Sequence, residues 1–149
     1  MTVPMIPVEK FFRLPPHDRL LLVEATLCLA IAALAIAGLP FRQVGRLAAR
    51  PVRRSEPAPQ ERLRDVKRIR WAIVVAARRV PWRALCFQQG LAAQFMLRRR
   101  GVPSVLYYGV APQRNGLSAH VWVRDGEVNV IGGEVASRYA QLAAFPPQG

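Results

Sequence analysis

The apolar period of this chain changes once, at Gly101. Before it, apolar residues recur at helical spacing; after it, they alternate with period two. A chain ordered that way places its helices first and its strands afterwards, so the fold class is α+β, N-terminal helices followed by a small antiparallel sheet. Leu63, Val66, Ile69, Ile73 and Val74 mark a helix over about 61–79, which Val80-Pro81 breaks. Another runs from about Trp82 to Arg100 and stops at Gly101. Residues 102–110 (VPSVLYYGV) then read as a strand, 111–116 as a turn-rich loop and 117–124 (LSAHVWVR) as a second strand. Asp125-Gly126 is a two-residue hairpin signal, and 127–131 (EVNVI) returns as a third strand. Gly132-Gly133 ends it, and 134–145 reads as helical or irregular.

The longest apolar run comes earlier, at Leu20–Leu39, and its length is about that of a membrane span. Glu24 inside it, six alanines and a nearly balanced flank of charges weigh against a span. Pro15-Pro16 with Asp18 as a cap makes a helix start, and Gly38-Leu39-Pro40 a stop. The expected structure is a helix over about 18–38, buried on most sides, with membrane association through residues 20–39 left open. The start lacks the basic residues of a secretory signal. Residues 1–50 form an N-terminal helical region, 51–60 (PVRRSEPAPQ) a proline-rich linker and 61–149 a C-terminal unit, all within the length of one domain.

Charge is concentrated. The chain carries 22 Lys and Arg against 9 Asp and Glu, a net +13, and residues 42–100 account for the whole excess. This belt is either a set of solvated helix faces or a receiving surface for an acidic peptide, a nucleic acid or a membrane. No base-reading motif accompanies it, so no nucleic acid is expected as partner. There is no metal-ligand cluster and no phosphate loop, and no cofactor is expected.

Two side chains carry candidate chemistry. Cys86 sits near a helix start, where unpaired N–H groups and the helix dipole favour negative charge on a thiol. His120 lies in the second strand. A helix-borne Cys followed by a strand-borne His is the layout of cysteine acyl-transfer enzymes. Residue types alone leave the alternative open, since a free Cys is also a small core residue and a strand His is commonly a satisfied one. Cys28, midway along the apolar helix with only Glu24 nearby, reads as packing.

The strings Pro81-Trp82-Arg83-Ala84-Leu85-Cys86, Gln89-Gly90-Leu91-Ala92, Leu97 to Ser104 (LRRRGVPS), and Ser118-Ala119-His120-Val121-Trp122-Val123 followed by Asp125-Gly126 resemble the transglutaminase-like leader peptidases of lasso-peptide biosynthesis. Leu14-Pro15, the Leu20–Ala25 helix and Leu39-Pro40-Phe41-Arg42 are similar to that family's opening, so the resemblance covers nearly the whole chain. It implies a transglutaminase-like or papain-like core with the nucleophile near a helix N-terminus. The implied activity is a cytoplasmic cysteine protease that strips the leader from a ribosomal precursor peptide, Cys86 being nucleophile and His120 the general base and then acid. The first fifty residues leave no room for a fused recognition domain, which implies the stand-alone form. The implied partners are the lasso precursor, a separate leader-recognition protein and a lasso cyclase.

The family pattern has an Asp about a dozen residues after the His, and none stands between Glu127 and Glu134. With Asp125-Gly126 as the turn, Trp122 would face Asn129 and His120 would face Ile131. Asn129 would then lie diagonal to the imidazole and orient it; Glu134 is the alternative if the chain curls back after the double glycine. Trp82 and Trp122 are expected either to shape a peptide groove or to pack in the core. The missing Asp also leaves a non-catalytic transglutaminase-like module as an alternative, beside a basic binding module built on the charged belt.

Overall fold

The computed structural model describes residues 7–50 and 57–148. Five helices come first: α1 (Val8–Arg13), α2 (Pro16–Gly38), α3 (Phe41–Ala48), α4 (Pro59–Ala77) and α5 (Cys86–Arg99). Strands β1 (Val105–Gln113), β2 (Gly116–Asp125), β3 (Val128–Ile131) and β4 (Ala140–Phe145) follow, with a 3-10 turn at Gly133–Arg138. The sheet has the order β3-β2-β1-β4 and is antiparallel throughout. This is the α+β arrangement the change of period predicts.

The core lies between the helices and one face of the sheet. Leu21, Ala25 and Leu29 of α2, Val66, Ile69 and Ile73 of α4, and Ala92, Met96 and Leu97 of α5 meet Leu106, Val121 and Val123 of the sheet in one buried cluster. The N-terminal region and the rest of the chain therefore share a core. The linker's residues 51–56 lie outside the described residues, and its last two, Pro59 and Gln60, already belong to α4.

Helix α2 departs from expectation in two ways. Proline opens it, and no side chain caps it; Asp18 instead sits in the first turn and accepts from Arg68 at 3.1 Å. Nor is it buried on most sides. Leu21, Leu22, Ala25, Cys28, Leu29 and Ala32 face the core, while Leu20, Val23, Leu27, Ile31 and Leu34 form an exposed stripe opposite. The helix is long and apolar enough to cross a membrane by length and composition. Glu24 is explained by packing. Its carboxylate receives both terminal nitrogens of Arg100, at 2.9 and 2.7 Å, and so ties α2 to the end of α5. That hydrogen bond is the largest influence on the Glu24 carboxyl and holds it below its ordinary range against the opposing effect of burial.

Helix α5 starts at Cys86 rather than Trp82. Residues 80–85 run as bends and extended chain, and Leu85 takes the extended N-cap conformation. The far end closes as a Schellman motif, Val102 N–H to the Leu97 carbonyl and Gly101 N–H to that of Arg98, each at 3.0 Å. The buried Gln94 amide donates to the carbonyls of Ser104 (3.2 Å) and Phe145 (2.9 Å), fixing the sheet to the helix at the start of β1 and the end of β4.

In the sheet, β1 continues through Gln113, beyond the expected 110, and Pro112 is tolerated because β4 pairs with β1 only as far as Val110. The β2–β3 turn is Gly126-Glu127, because Asp125 pairs with Val128. Arg124 therefore faces Asn129, and a bulge then shifts the ladder so that Val123 faces Ile131. The expected pairings Trp122–Asn129 and His120–Ile131 are thus corrected. Residues 134–145, read as helical or irregular, contain β4. Its exposed Ala140-Gln141-Leu142 gives no alternating signal.

Candidate functional site

Cys86 is the first residue of α5, and no side chain caps that helix. The N–H groups of its first turn have no carbonyl one turn earlier within the helix to bond, so they are disposed to receive negative charge. His120 lies on β2, the strand against which α5 packs. The two side chains line one cavity of about 320 Å³, together with Arg70 and Val74 of α4, Gln89, Val121, Ile131, Gly132 and Glu134.

The imidazole is held on three sides. It stacks on Trp122 (centroids 6.1 Å apart, planes at 19°) and lies against Tyr139 (5.0 Å). Its Nε2 is 2.7 Å from the Gly132 carbonyl oxygen. A carbonyl oxygen only accepts, so Nε2 carries the proton of the neutral ring and Nδ1 carries the lone pair. A helix-borne thiol and a base of fixed tautomer therefore converge on one half-open space.

The loop after β3 sets this arrangement. Gly132 has φ +77°, and a Cβ there would stand 2.6 Å from the Val121 carbonyl oxygen. Only glycine lets the chain turn so close beneath the histidine. Asn129 does not reach the imidazole, as the corrected register requires. Its Oδ1 accepts the Gly133 N–H at 3.0 Å. Glu134 does line the cavity, where it is paired with Arg70 rather than with His120. Burial pushes its carboxyl up, but its own backbone N–H, the Arg70 charge and hydrogen bonds from Arg70 and Asn129 outweigh that and keep it below its ordinary range.

Neither tryptophan lines the cavity. Trp82 packs on the core and donates from Nε1 to Gln88 at 3.1 Å. Trp122 is buried between Tyr107 and His120 and stacks on the imidazole. Cys28 is buried and remote from the cavity, its thiol pushed up to about 11 by burial and then by Glu24. Both cysteines are free. Sequence reasoning missed Arg70 and Gly132. Arg70 is one arginine among many on α4 and has no local mark. The double glycine was visible, but its carbonyl's partner was not.

Part of the basic belt is internal framework. Arg62 bonds the buried Asp125 of β2, Arg98 donates to the Leu47 carbonyl at the end of α3 (2.6 Å), and Arg100 holds Glu24. Among the described residues, no group of three or more His, Cys, Asp and Glu is placed to hold a metal ion.

A family model described as the transglutaminase-like superfamily matches residues 25–144, from within α2 to the end of β4. Comparisons with curated proteins and with solved structures give no significant match.

Proposed function

The chain belongs to the transglutaminase-like superfamily, which includes cysteine proteases, and on that premise we propose that it is a cysteine peptidase removing the leader from a ribosomally made lasso-peptide precursor. One observation carries the peptidase reading. Cys86, at the open start of α5, and His120, with its Nε2 engaged and Nδ1 free, line the same cavity. In this reading Nδ1 takes the thiol proton as Cys86 Sγ attacks the scissile carbonyl. The oxyanion forms against N–H groups of the α5 first turn, that of Cys86 included. The proton passes to the leaving amine, and the Cys86 thioester is then hydrolysed by water whose proton Nδ1 accepts.

The lasso-peptide assignment rests on the motif resemblance around Cys86 and His120. It brings with it a separate leader-recognition protein, to hold the substrate, and a cyclase, to use the released core. The test is cleavage of a lasso-peptide precursor, with a leader-binding protein present and the products read by mass spectrometry. Cleavage by the wild type and by Cys28→Ala, and its loss in Cys86→Ala and His120→Ala, is the expected result. Undiminished cleavage by Cys86→Ala would overturn the peptidase assignment. Salt-sensitive binding of nucleic acid or anionic vesicles by a protein that does not cleave would favour the basic module instead.

A further inference from the structure

We propose that Asn129 is a positioning residue for His120 and acts through the single peptide group that joins Gly132 to Gly133. This rests on the reading of His120 as the base. The carbonyl that receives His120 Nε2–H (2.7 Å) and the N–H that bonds Asn129 Oδ1 (3.0 Å) belong to the same planar unit. Pinning the N–H end fixes the direction of the C=O end, and the C=O end holds the ring. The family's Asp is absent from this stretch of the chain, and a peptide dipole occupies its role.

Three further features agree. The Asn129 amide is oriented from its other side. Asn129 is the smallest of the influences that lower the Glu134 carboxyl, and a carboxylate only accepts, so the Nδ2–H side of the amide is the one turned toward Glu134 and Oδ1 is left for Gly133. Glu134 is anchored in turn by Arg70. Each amide in the chain Glu134, Asn129, peptide 132–133, His120 is therefore polarised in one sense. The Arg70–Glu134 pair is exposed, so its part is to orient the Asn129 amide, and the hold on the Gly132 oxygen comes from Asn129. The two glycines fit the same purpose. A Cβ on Gly132 would meet the Val121 carbonyl, and one on Gly133 would collide with the Asn129 amide.

The test uses the full chain without any peptide substrate. The readout is alkylation of Cys86 by iodoacetamide, followed by mass spectrometry as a function of pH. The titratable and charged groups around His120 are Cys86 from α5, Arg70 from α4, and Glu134 and Tyr139 after β3. Asn129→Ala is expected to slow alkylation about tenfold, the smaller loss typical of an outer orienting partner, and to move the acid limb of the profile to higher pH. A loosened carbonyl stabilises the imidazolium less, and the limb records that. Asn129→Asp combined with Glu134→Gln exchanges acid and amide but keeps every donor and acceptor in order; it is expected to restore rate and limb.

Wild-type protein supplies a check that needs no variant: the Gly133 N–H and the His120 Nε2–H should both resist hydrogen exchange. A folded Asn129→Ala with the wild-type rate and limb, or free exchange at Gly133 in the wild type, would overturn the proposal. Failure of the exchanged pair to recover would do the same. These outcomes are separable from the peptidase reading. Loss of the relay leaves precursor cleavage to be judged by Cys86→Ala, whereas a wild-type profile with no imidazole-dependent limb removes His120 as the base.

Discussion

Substituting Gly90 by alanine should separate stability from chemistry. Gly90 lies one turn after Cys86, on the side of α5 that packs on β2. A Cβ there would stand 2.8 Å from Val121 Cγ1 and 3.5 Å from both Leu106 and Val123. Val121 adjoins His120 and is stiff at χ1, so it has little room to rotate away. Reaching ordinary carbon contact at ~3.5 Å requires α5 and β2 to part by roughly 0.7 Å at this point. Two energies then oppose each other. Replacing a mid-helix glycine gains about 1 kcal/mol of helix propensity, and overpacking a tight contact costs about 1–3 kcal/mol. The net cost is about 0–2 kcal/mol, a fall in Tm of at most ~8 °C for a chain of this size.

The distance between Cys86 and His120, the proposed nucleophile and base, has no such compensation. A misplacement approaching 1 Å costs up to about a hundredfold in rate, so Gly90→Ala should lose between ten- and a hundredfold. The assays are precursor cleavage, Cys86 alkylation and a thermal melt on the same preparation. Adding Val121→Ala removes the obstructing methyl and should return most of the rate, despite deleting a buried group. A wild-type rate in Gly90→Ala, or no recovery in the double variant, would refute the view that this helix–strand contact sets the cavity.

Leu29→Ala should destabilise the protein by about 2–5 kcal/mol, because Leu29 is fully buried between helices. Leu34→Ala, on the exposed stripe of the same helix, should stay within about 0.5 kcal/mol, and denaturant titrations compare the two. Glu24→Gln weakens a partly buried charged hydrogen bond to Arg100 and should cost about 1–3 kcal/mol at neutral pH. Its folded carboxyl is depressed, so the Glu24 contribution is present above the unfolded carboxylate range and is lost as pH falls through the folded value. The stability gap between wild type and Glu24→Gln should therefore close on acidification, as urea melts at several pH values will read.

Much of the fold was legible because it is written in local periodicity. The change of period at Gly101 gives the order of layers, and the proline and glycine punctuation gives the bounds of α2 and α4 to within a few residues. What failed depends on pairing. The turn falls at Gly126-Glu127, one residue later than the Asp125-Gly126 signal, which alone pairs Asn129 with Arg124 and so carries it two residues further from His120 than the expected hairpin would; the bulge between Val123 and Arg124 then shifts Ile131 and leaves no residue-level mark. Strand β4 is short, its first half exposed, and it owes its extended form to the edge of β1. The buried half of α2 and its exposed stripe are both apolar and both rich in leucine, so the sequence does not separate them, and only the position of α4 and α5 distinguishes them.

The same contrast bears on the missing Asp. Looking for a carboxylate presumes that the imidazole is oriented by a side chain, whereas here the group on His120 Nε2 is main chain and invisible to residue type. A neutral carbonyl stabilises an imidazolium less than a carboxylate does, since the ion-pair attraction is absent. Under the proposed chemistry, the thiolate–imidazolium pair would then lean more on the other partner, the helix start that carries Cys86, and on Asn129, which holds the carbonyl in place. That division explains why the backbone there is so constrained. Leu85 must stay extended so that the helix opens at the cysteine and not a turn earlier, and Gly132 must keep its left-handed turn so that its carbonyl points at the ring.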